Sequence, residues 1–154
     1  MVHPDIAPLG FLLGTWRGDG KGAYPTIQPF AYTEEVVIEA MPKPVLRYTQ
    51  RTADAATGEP RHAEVGYLRL PGRVPEMVIA QPTGIVECHA GTLEGQHLVL
   101  RSTSVGLTPS AAVHDVTEVE RVIEVEGDVL RYTLAMAAVG QPLQIHLTAQ
   151  LVRV

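Results

Sequence analysis

The feature that most constrains this chain is the rhythm of its apolar residues. Short β-branched or aliphatic runs follow one another, each closed by a turn signal. Ten such runs are predicted as strands: Thr15–Lys21, Ala31–Ala40, Pro44–Arg51, His62–Leu70, Pro75–Gln81, Gly84–Thr92, His97–Ser104, Asp115–Val125, Asp128–Ala138 and Leu143–Val152. The stops between them are chemical. Leu93-Glu94-Gly95-Gln96 and Glu126-Gly127-Asp128 carry the glycine that a tight hairpin turn needs where φ is positive. Met41-Pro42-Lys43-Pro44, Pro71-Gly72-Arg73 and Gly140-Gln141-Pro142 interrupt a ladder, because proline donates no hydrogen bond. Only Ile6–Leu13 reads as a helical turn, too short to stand alone.

Most connections have hairpin length, whereas a parallel crossover needs a dozen or more residues. Successive hairpins leave two open edges unless the sheet closes on itself. The expectation is an all-β, ten-stranded antiparallel β-barrel of the lipocalin or fatty-acid-binding type, formed by residues 1–154 as one domain. Several strands have two distinct faces. Leu130, Tyr132, Leu134 and Met136 share one, with Arg131 and Thr133 opposite; Glu118, Glu120 and Glu124 oppose Val119, Ile123 and Val125.

Composition narrows the function. The formal net charge is −5, which argues against a nucleic-acid partner, since phosphates attract basic surfaces. No stretch approaches the ~20 apolar residues of a membrane helix. Met1–Gly10 lacks a basic stretch leading into a long apolar run, so no secretory signal is expected. The single cysteine, Cys88, excludes an intrachain disulfide and suits a reducing cytoplasm. There is no Gly-x-Ser-x-Gly elbow, phosphate loop or His-Glu-x-x-His.

That leaves the six histidines. His3 falls in a tail expected to be mobile. His62 opens a strand, where pattern alone favours a solvated or turn role. His89 and His97 flank a hairpin and read as surface residues. His114 stands at a strand entrance, where a polar turn and a pocket role are both open. His146 differs, lying inside the last strand in Leu143-Gln144-Ile145-His146-Leu147-Thr148-Ala149-Gln150-Leu151. Strict alternation puts it on a polar face with Gln144, Thr148 and Gln150, opposite Ile145, Leu147, Ala149 and Leu151. A structural histidine and a metal-ligating imidazole both fit that pattern.

A second cluster is Gly14-Thr15-Trp16-Arg17-Gly18-Asp19-Gly20-Lys21-Gly22. Glycines at alternate positions allow close approach of a ligand or a strand. A bent first strand whose Trp16 plugs the barrel end explains them equally well, and the two readings are compatible.

Gly14–Gly20 resembles the Gly-x-Trp-x-Gly-x-Gly motif of the nitrobindins. The likeness continues through Tyr24-Pro25-Thr26-Ile27-Gln28-Pro29-Phe30, then Tyr32 with Glu34-Glu35. It resumes at His62-Ala63-Glu64-Val65-Gly66-Tyr67 and Gln81-Pro82-Thr83-Gly84-Ile85-Val86-Glu87. It closes with Met136, Gly140-Gln141-Pro142-Leu143 and His146-Leu147. The chain is similar to the actinobacterial branch over essentially its whole length. The resemblance implies a ten-stranded barrel holding ferric haem b in a partly open cleft, isomerisation of peroxynitrite to nitrate, and reversible binding of nitric oxide. It implies His146 as axial ligand of the haem iron, Thr26 and Met136 against the haem, and His62 and Gln81 near the distal side. His114, where relatives often have Lys, would lie near a propionate. A non-catalytic carrier of an apolar ligand and a nitric oxide sensor or store are the alternatives. A homodimer is a candidate state.

Overall fold

The computed structural model describes residues 1–154. Its strands are β1 (Gly14–Tyr24), β2 (Ile27–Ala40), β3 (Val45–Asp54), β4 (Pro60–Arg69) and β5 (Glu76–Ala80), then β6 (Ile85–Glu94), β7 (His97–Leu107), β8 (Val116–Glu126), β9 (Val129–Ala138) and β10 (Gln144–Arg153). Each pairs antiparallel with its sequence neighbours, and β1 pairs with β10, so the sheet closes into a barrel without edges. The ten expected strands are all present, and β1, β2, β3 and β7 extend by three or four residues beyond their expected ends. No helix is long and apolar enough to cross a membrane.

One end of the barrel is stoppered. Pro4–Leu12 forms a 3-10 helix, with Pro8 inside it withholding an amide donor. His3, expected in a mobile tail, caps this helix: its Nδ1 accepts from the Asp5 amide at 3.2 Å. Ile6, Leu9 and Leu12 from the helix enter a cluster with Trp16, Leu46, Leu98, Leu100 and Leu151, none more than 1% exposed. Trp16 Nε1 donates to the Leu12 carbonyl at 2.9 Å, so the plug's only polar atom is satisfied. The Arg153 guanidinium covers the indole at 4.1 Å and donates to the Leu13 and Phe11 carbonyls.

The alternate glycines of β1 thin the wall on the far side of Trp16. Gly20 pairs with Tyr32 and Gly22 with Phe30 across the β1–β2 ladder. A Cβ at Gly20 would collide with the Tyr32 ring, and one at Gly22 with the Phe30 ring. The aromatic side chains thus lie where glycine side chains are missing. Beyond Gly22 the β1–β2 register slips, and Ala23 is left without a partner.

A matching slip in β10 alters the expected faces. Gln144 pairs with Met136 and Ile145 with Ala135, but Leu147 pairs with Leu134, so His146 is an extra, unpaired residue. Leu147, Ala149 and Leu151 turn inward, while Thr148 and Gln150 are exposed. Strict alternation would have sent His146 outward with them. The bulge instead lets His146 line the interior together with Leu147. The expected shared face with Thr148 and Gln150 is therefore corrected at this residue.

Candidate functional site

The end opposite Trp16 is open. A cavity of about 380 Å³ lies there, within the size range of small-molecule pockets. Its walls are chiefly apolar, from Ile85, Val116, Val119, Leu134 and Ala138, which belong to a second and smaller buried cluster. All six residues singled out by the sequence line this one cavity: Thr26, His62, Gln81, His114, Met136 and His146.

The two bulges meet at His146. Its Nδ1 lies 3.0 Å from the carbonyl oxygen of Ala23. A carbonyl can only accept, so Nδ1 carries the proton and donates, and the Nε2 lone pair has no protein partner. The ring is fixed from its sides as well. Tyr24 meets it edge to face at 5.3 Å and 77°, and Phe30 at 6.2 Å and 66°. Burial pushes the imidazole pKa down, against the upward pull of the Ala23 carbonyl, and nearby His62 lowers it further. The neutral form favoured in this way is the one that binds a metal, with the second nitrogen already oriented by a backbone carbonyl.

The other five occupy different levels. Thr26 is in the short turn between β1 and β2, and Met136 is half-buried on β9. His62 is half-buried, with Nε2 3.4 Å from Glu64 Oε2. Gln81 follows β5 and donates to Glu64 at 3.2 Å and to Glu87 at 2.5 Å. His114 ends a 3-10 helix, Pro109–His114, ahead of Asp115, whose φ of 44° marks a left-handed stop.

Beneath the pocket lies a polar layer that the sequence reading did not assign. Glu34, Glu64, Glu87 and Arg121 stand on alternate strands, β2, β4, β6 and β8, and all are buried. Arg121 donates to both oxygens of Glu64, at 2.9 and 2.8 Å, and to Glu87 at 3.0 Å. Tyr48 donates to Glu64 at 3.0 Å. Glu34 accepts from Gln50 at 2.7 Å and from Tyr132 at 2.8 Å, and Tyr132 meets the Tyr32 hydroxyl at 2.7 Å. Gln50 Oε1, His89 Nδ1 and Arg121 Nε find no protein partner. His89, expected at the surface, is 3% exposed, with Nε2 2.7 Å from Glu87 Oε1. Its ring follows Ile85 and Glu87 on the inward parity of β6, which carries it away from solvent.

The carboxyls of this layer diverge. Burial raises Glu34 to about 7, outweighing its bonds from Gln50 and Tyr132. Burial also opposes ionisation of Glu64, but the Arg121 charge and the His62 and Arg121 contacts overcome it, leaving Glu64 well below the usual carboxylate range. Glu87 is lowered too, again against burial, by Arg121 and His89. A signal for these residues was present. Each charge falls on the inward parity of its strand, and two have hydrophobic neighbours on that face: Glu34 between Tyr32 and Val36, and Arg121 between Val119 and Ile123.

A closed antiparallel barrel whose apolar side pocket presents one oriented, neutral imidazole nitrogen fits the needs of a haem, which requires an axial ligand and dry walls. The geometry thus defines a haem-binding barrel. The chain belongs to the THAP4-like, heme-binding beta-barrel domain family, whose model matches residues 5–153, the same family the nitrobindin motifs pointed to. Haem is accordingly its cofactor. The chain is 52% identical to peroxynitrite isomerase 1 of Mycolicibacterium paratuberculosis, and 51% identical to peroxynitrite isomerase 2 of Mycobacterium avium. Each match covers 99% of this chain and 96% of the relative. A crystal structure of Rv2717c from M. tuberculosis superposes with a TM-score of 0.92 at 45% identity, over 100% of this chain and 99% of that one.

Proposed function

We propose that residues 1–154 act as a single haem-binding domain that isomerises peroxynitrite to nitrate at ferric haem b and binds nitric oxide reversibly. The observation that carries this reading is the His146 imidazole, with Nδ1 committed to Ala23 and Nε2 free within the pocket. The names of its close relatives support the same reaction.

His146 Nε2 would be the axial donor to the iron, held by Ala23 and by the edges of Tyr24 and Phe30. Thr26 and Met136 would lie against the haem, His114 near a propionate, and His62 and Gln81 near the distal side. When bound, haem supplies an open coordination position on ferric iron, where the protein need contribute no second strong ligand. The buried carboxylates hold Gln81 and His62 in place from below. A reducing cytoplasm suits the lone Cys88. A second copy of the chain, with no nucleic acid or membrane, is the expected macromolecular partner.

The carrier reading has less support. A fatty-acid carrier needs an interior cation for the carboxylate, and the one buried in this barrel, Arg121, is already engaged by Glu64 and Glu87.

The test begins with hemin. The parent protein should develop a Soret band on titration, and His146→Ala should lose more affinity than the roughly tenfold to hundredfold that removal of a ligand's outer-shell partner costs. Stopped-flow mixing of peroxynitrite with the ferric protein should then show decay in proportion to protein, with rising nitrate yield and falling tyrosine nitration. Decay matching buffer alone would leave a nitric oxide sensor or store as the function. Unchanged hemin affinity in His146→Ala would remove the axial assignment.

A further inference from the structure

Arg61 stands at the start of β4, at the mouth of the pocket, and it is fixed at two points. Its guanidinium lies 4.3 Å over the Phe30 ring. Its Nε donates to Asp54 Oδ2 at 3.3 Å. Asp54 is itself pinned, because its other oxygen accepts the amides of Ala56 and Thr57 at 3.0 Å each. No protein group accepts from Arg61 Nη1 or Nη2. The result is an oriented planar fork, with its terminal donors unspent and its side chain 38% exposed.

The contrast with the other guanidinium of the pocket is instructive. Arg121 spends both Nη groups on Glu64 and Glu87 inside the barrel. Among residues lining the pocket, Arg61 alone offers a permanent positive charge with free fork donors. It also lies one ring away from the candidate ligand, since Phe30 touches Arg61 on its face and His146 at its edge. Phe30 therefore couples the position of the cation to that of the imidazole.

We propose that Arg61 is the anion receptor of the pocket mouth, a guanidinium fork that takes a carboxylate or a small planar oxyanion as it enters or leaves. Planar two-oxygen anions match the fork, and a partly exposed cation at a cleft mouth raises the encounter rate of anions in a salt-dependent way. Two ligands share this chemistry: a haem propionate, and peroxynitrite with its product nitrate. Naming them rests on the haem reading above; the fork itself does not.

Nitrate alone is the first probe. In protein without haem, the Arg61 Nε–H resonance should shift and saturate with nitrate at constant ionic strength set by chloride, and no such site should appear in Arg61→Ala. Hemin and its dimethyl ester then separate the sources. If a propionate is held, Arg61→Ala should weaken hemin about fivefold, the worth of a partly exposed charge-assisted pair, and leave the ester unchanged. If substrate is held, hemin affinity should stay constant. The second-order rate of peroxynitrite decay should instead fall severalfold at low salt, with the difference vanishing at high salt. Arg61→Lys, which keeps the charge and loses the fork, should recover the salt-dependent rate but not the hemin preference over the ester. Absence of a nitrate shift overturns the proposal, as does equal weakening of hemin and ester, which would make Arg61 a packing partner of Phe30. A parent protein that takes no hemin would sink the haem reading, while the nitrate titration still decides the role of Arg61.

Discussion

The two ends of this barrel are built from the same strands and solve opposite problems. Around Trp16, side chains from the 3-10 helix and nine strands pack into one cluster that leaves a cavity of only about 80 Å³ below the polar layer, and the Trp16 indole N–H is satisfied within the plug. Around His146, apolar walls share the lining with polar and charged side chains and stand apart, around a cavity of about 380 Å³. Between them the buried layer of Glu34, Glu64, Glu87 and Arg121 acts as a floor. Stability therefore resides mainly at the plugged end and binding at the open one. Dense packing at one end can support an under-filled cleft at the other, because close-packed interiors carry most of the dispersion and hydrophobic gain. The floor keeps the cleft from collapsing into the core, since its charges are bonded across four strands and cannot be squeezed out without losing partners.

Unplugging the Trp16 end should have the largest effect on stability. Trp16→Ala should cost about 3–5 kcal/mol, the usual range for a large buried aromatic, because the cavity is sealed by the helix and cannot refill. Urea denaturation measures the loss. The folded fraction should still bind hemin normally, as Trp16 does not line the pocket.

Next comes the floor. Arg121→Leu leaves Glu64 and Glu87 buried without their cation and should cost about 3 kcal/mol near neutral pH. Adding Glu64→Gln should recover part of it, because one stranded charge is then gone. The Glu64 pKa is depressed in the folded protein, so its contribution is present above the ordinary 4.5 and lost as pH falls through the lower folded value. Without Arg121 burial is less opposed, the folded pKa moves back up toward the ordinary value, and that acid loss should shrink.

Glu34 has the opposite sign. Its folded pKa is raised from 4.5 to about 7, so the protonated form is favoured by folding. That contribution is intact below pH 4.5, declines as pH rises, and is gone above about 7, a loss of roughly 3 kcal/mol at most. Glu34→Gln should flatten the stability profile over this window in denaturant titrations at stepped pH. A glutamine can keep the Tyr132 bond, and the unpartnered Gln50 Oε1 can accept from the new amide if Gln50 flips. An unchanged slope would mean that Glu34 is not the buried acid that separates floor from core.

Legibility in the sequence followed the same division. The strands, their order and the Trp16 plug could be read because alternation and glycine spacing are local signals. The pocket residues came from motif resemblance, and a period-2 reading alone put His146 on one face with Gln144, Thr148 and Gln150. What parts it from Thr148 and Gln150 is the bulge at His146, which one strand's pattern cannot reveal because it exists only relative to a partner. His89 was misplaced for a different reason. Histidine is common at surfaces, and its burial here depends on Glu87, two positions away on the same face. The floor leaves its local trace only in charges on inward parities, which hairpin signals do not report. Arg121 and Glu64, 57 positions apart, had no local reason to be paired.

The smallest stability effect should come from the residue that matters most for binding. His146→Ala removes a side chain from an unpaired bulge, so no ladder bond is lost. The Ala23 carbonyl gives up one acceptor contact, but Ala23 is exposed, and water can take the place of the imidazole. Tyr24 and Phe30 lose only an aromatic edge, worth about 0.5–1.5 kcal/mol in buried pairs and less beside an open cleft. Removing a desolvated imidazole also removes a burial cost, which partly offsets those losses. The net change in unfolding free energy without haem should therefore stay below about 1 kcal/mol, several-fold smaller than for Trp16→Ala. With hemin present the order should invert. The parent gains stability with hemin concentration by mass action, and His146→Ala gains little, so their unfolding midpoints should diverge as hemin is added. Equal midpoints with and without hemin would place the haem elsewhere. A loss as large as that of Trp16→Ala without haem would show that the open end, too, is part of what holds the barrel together.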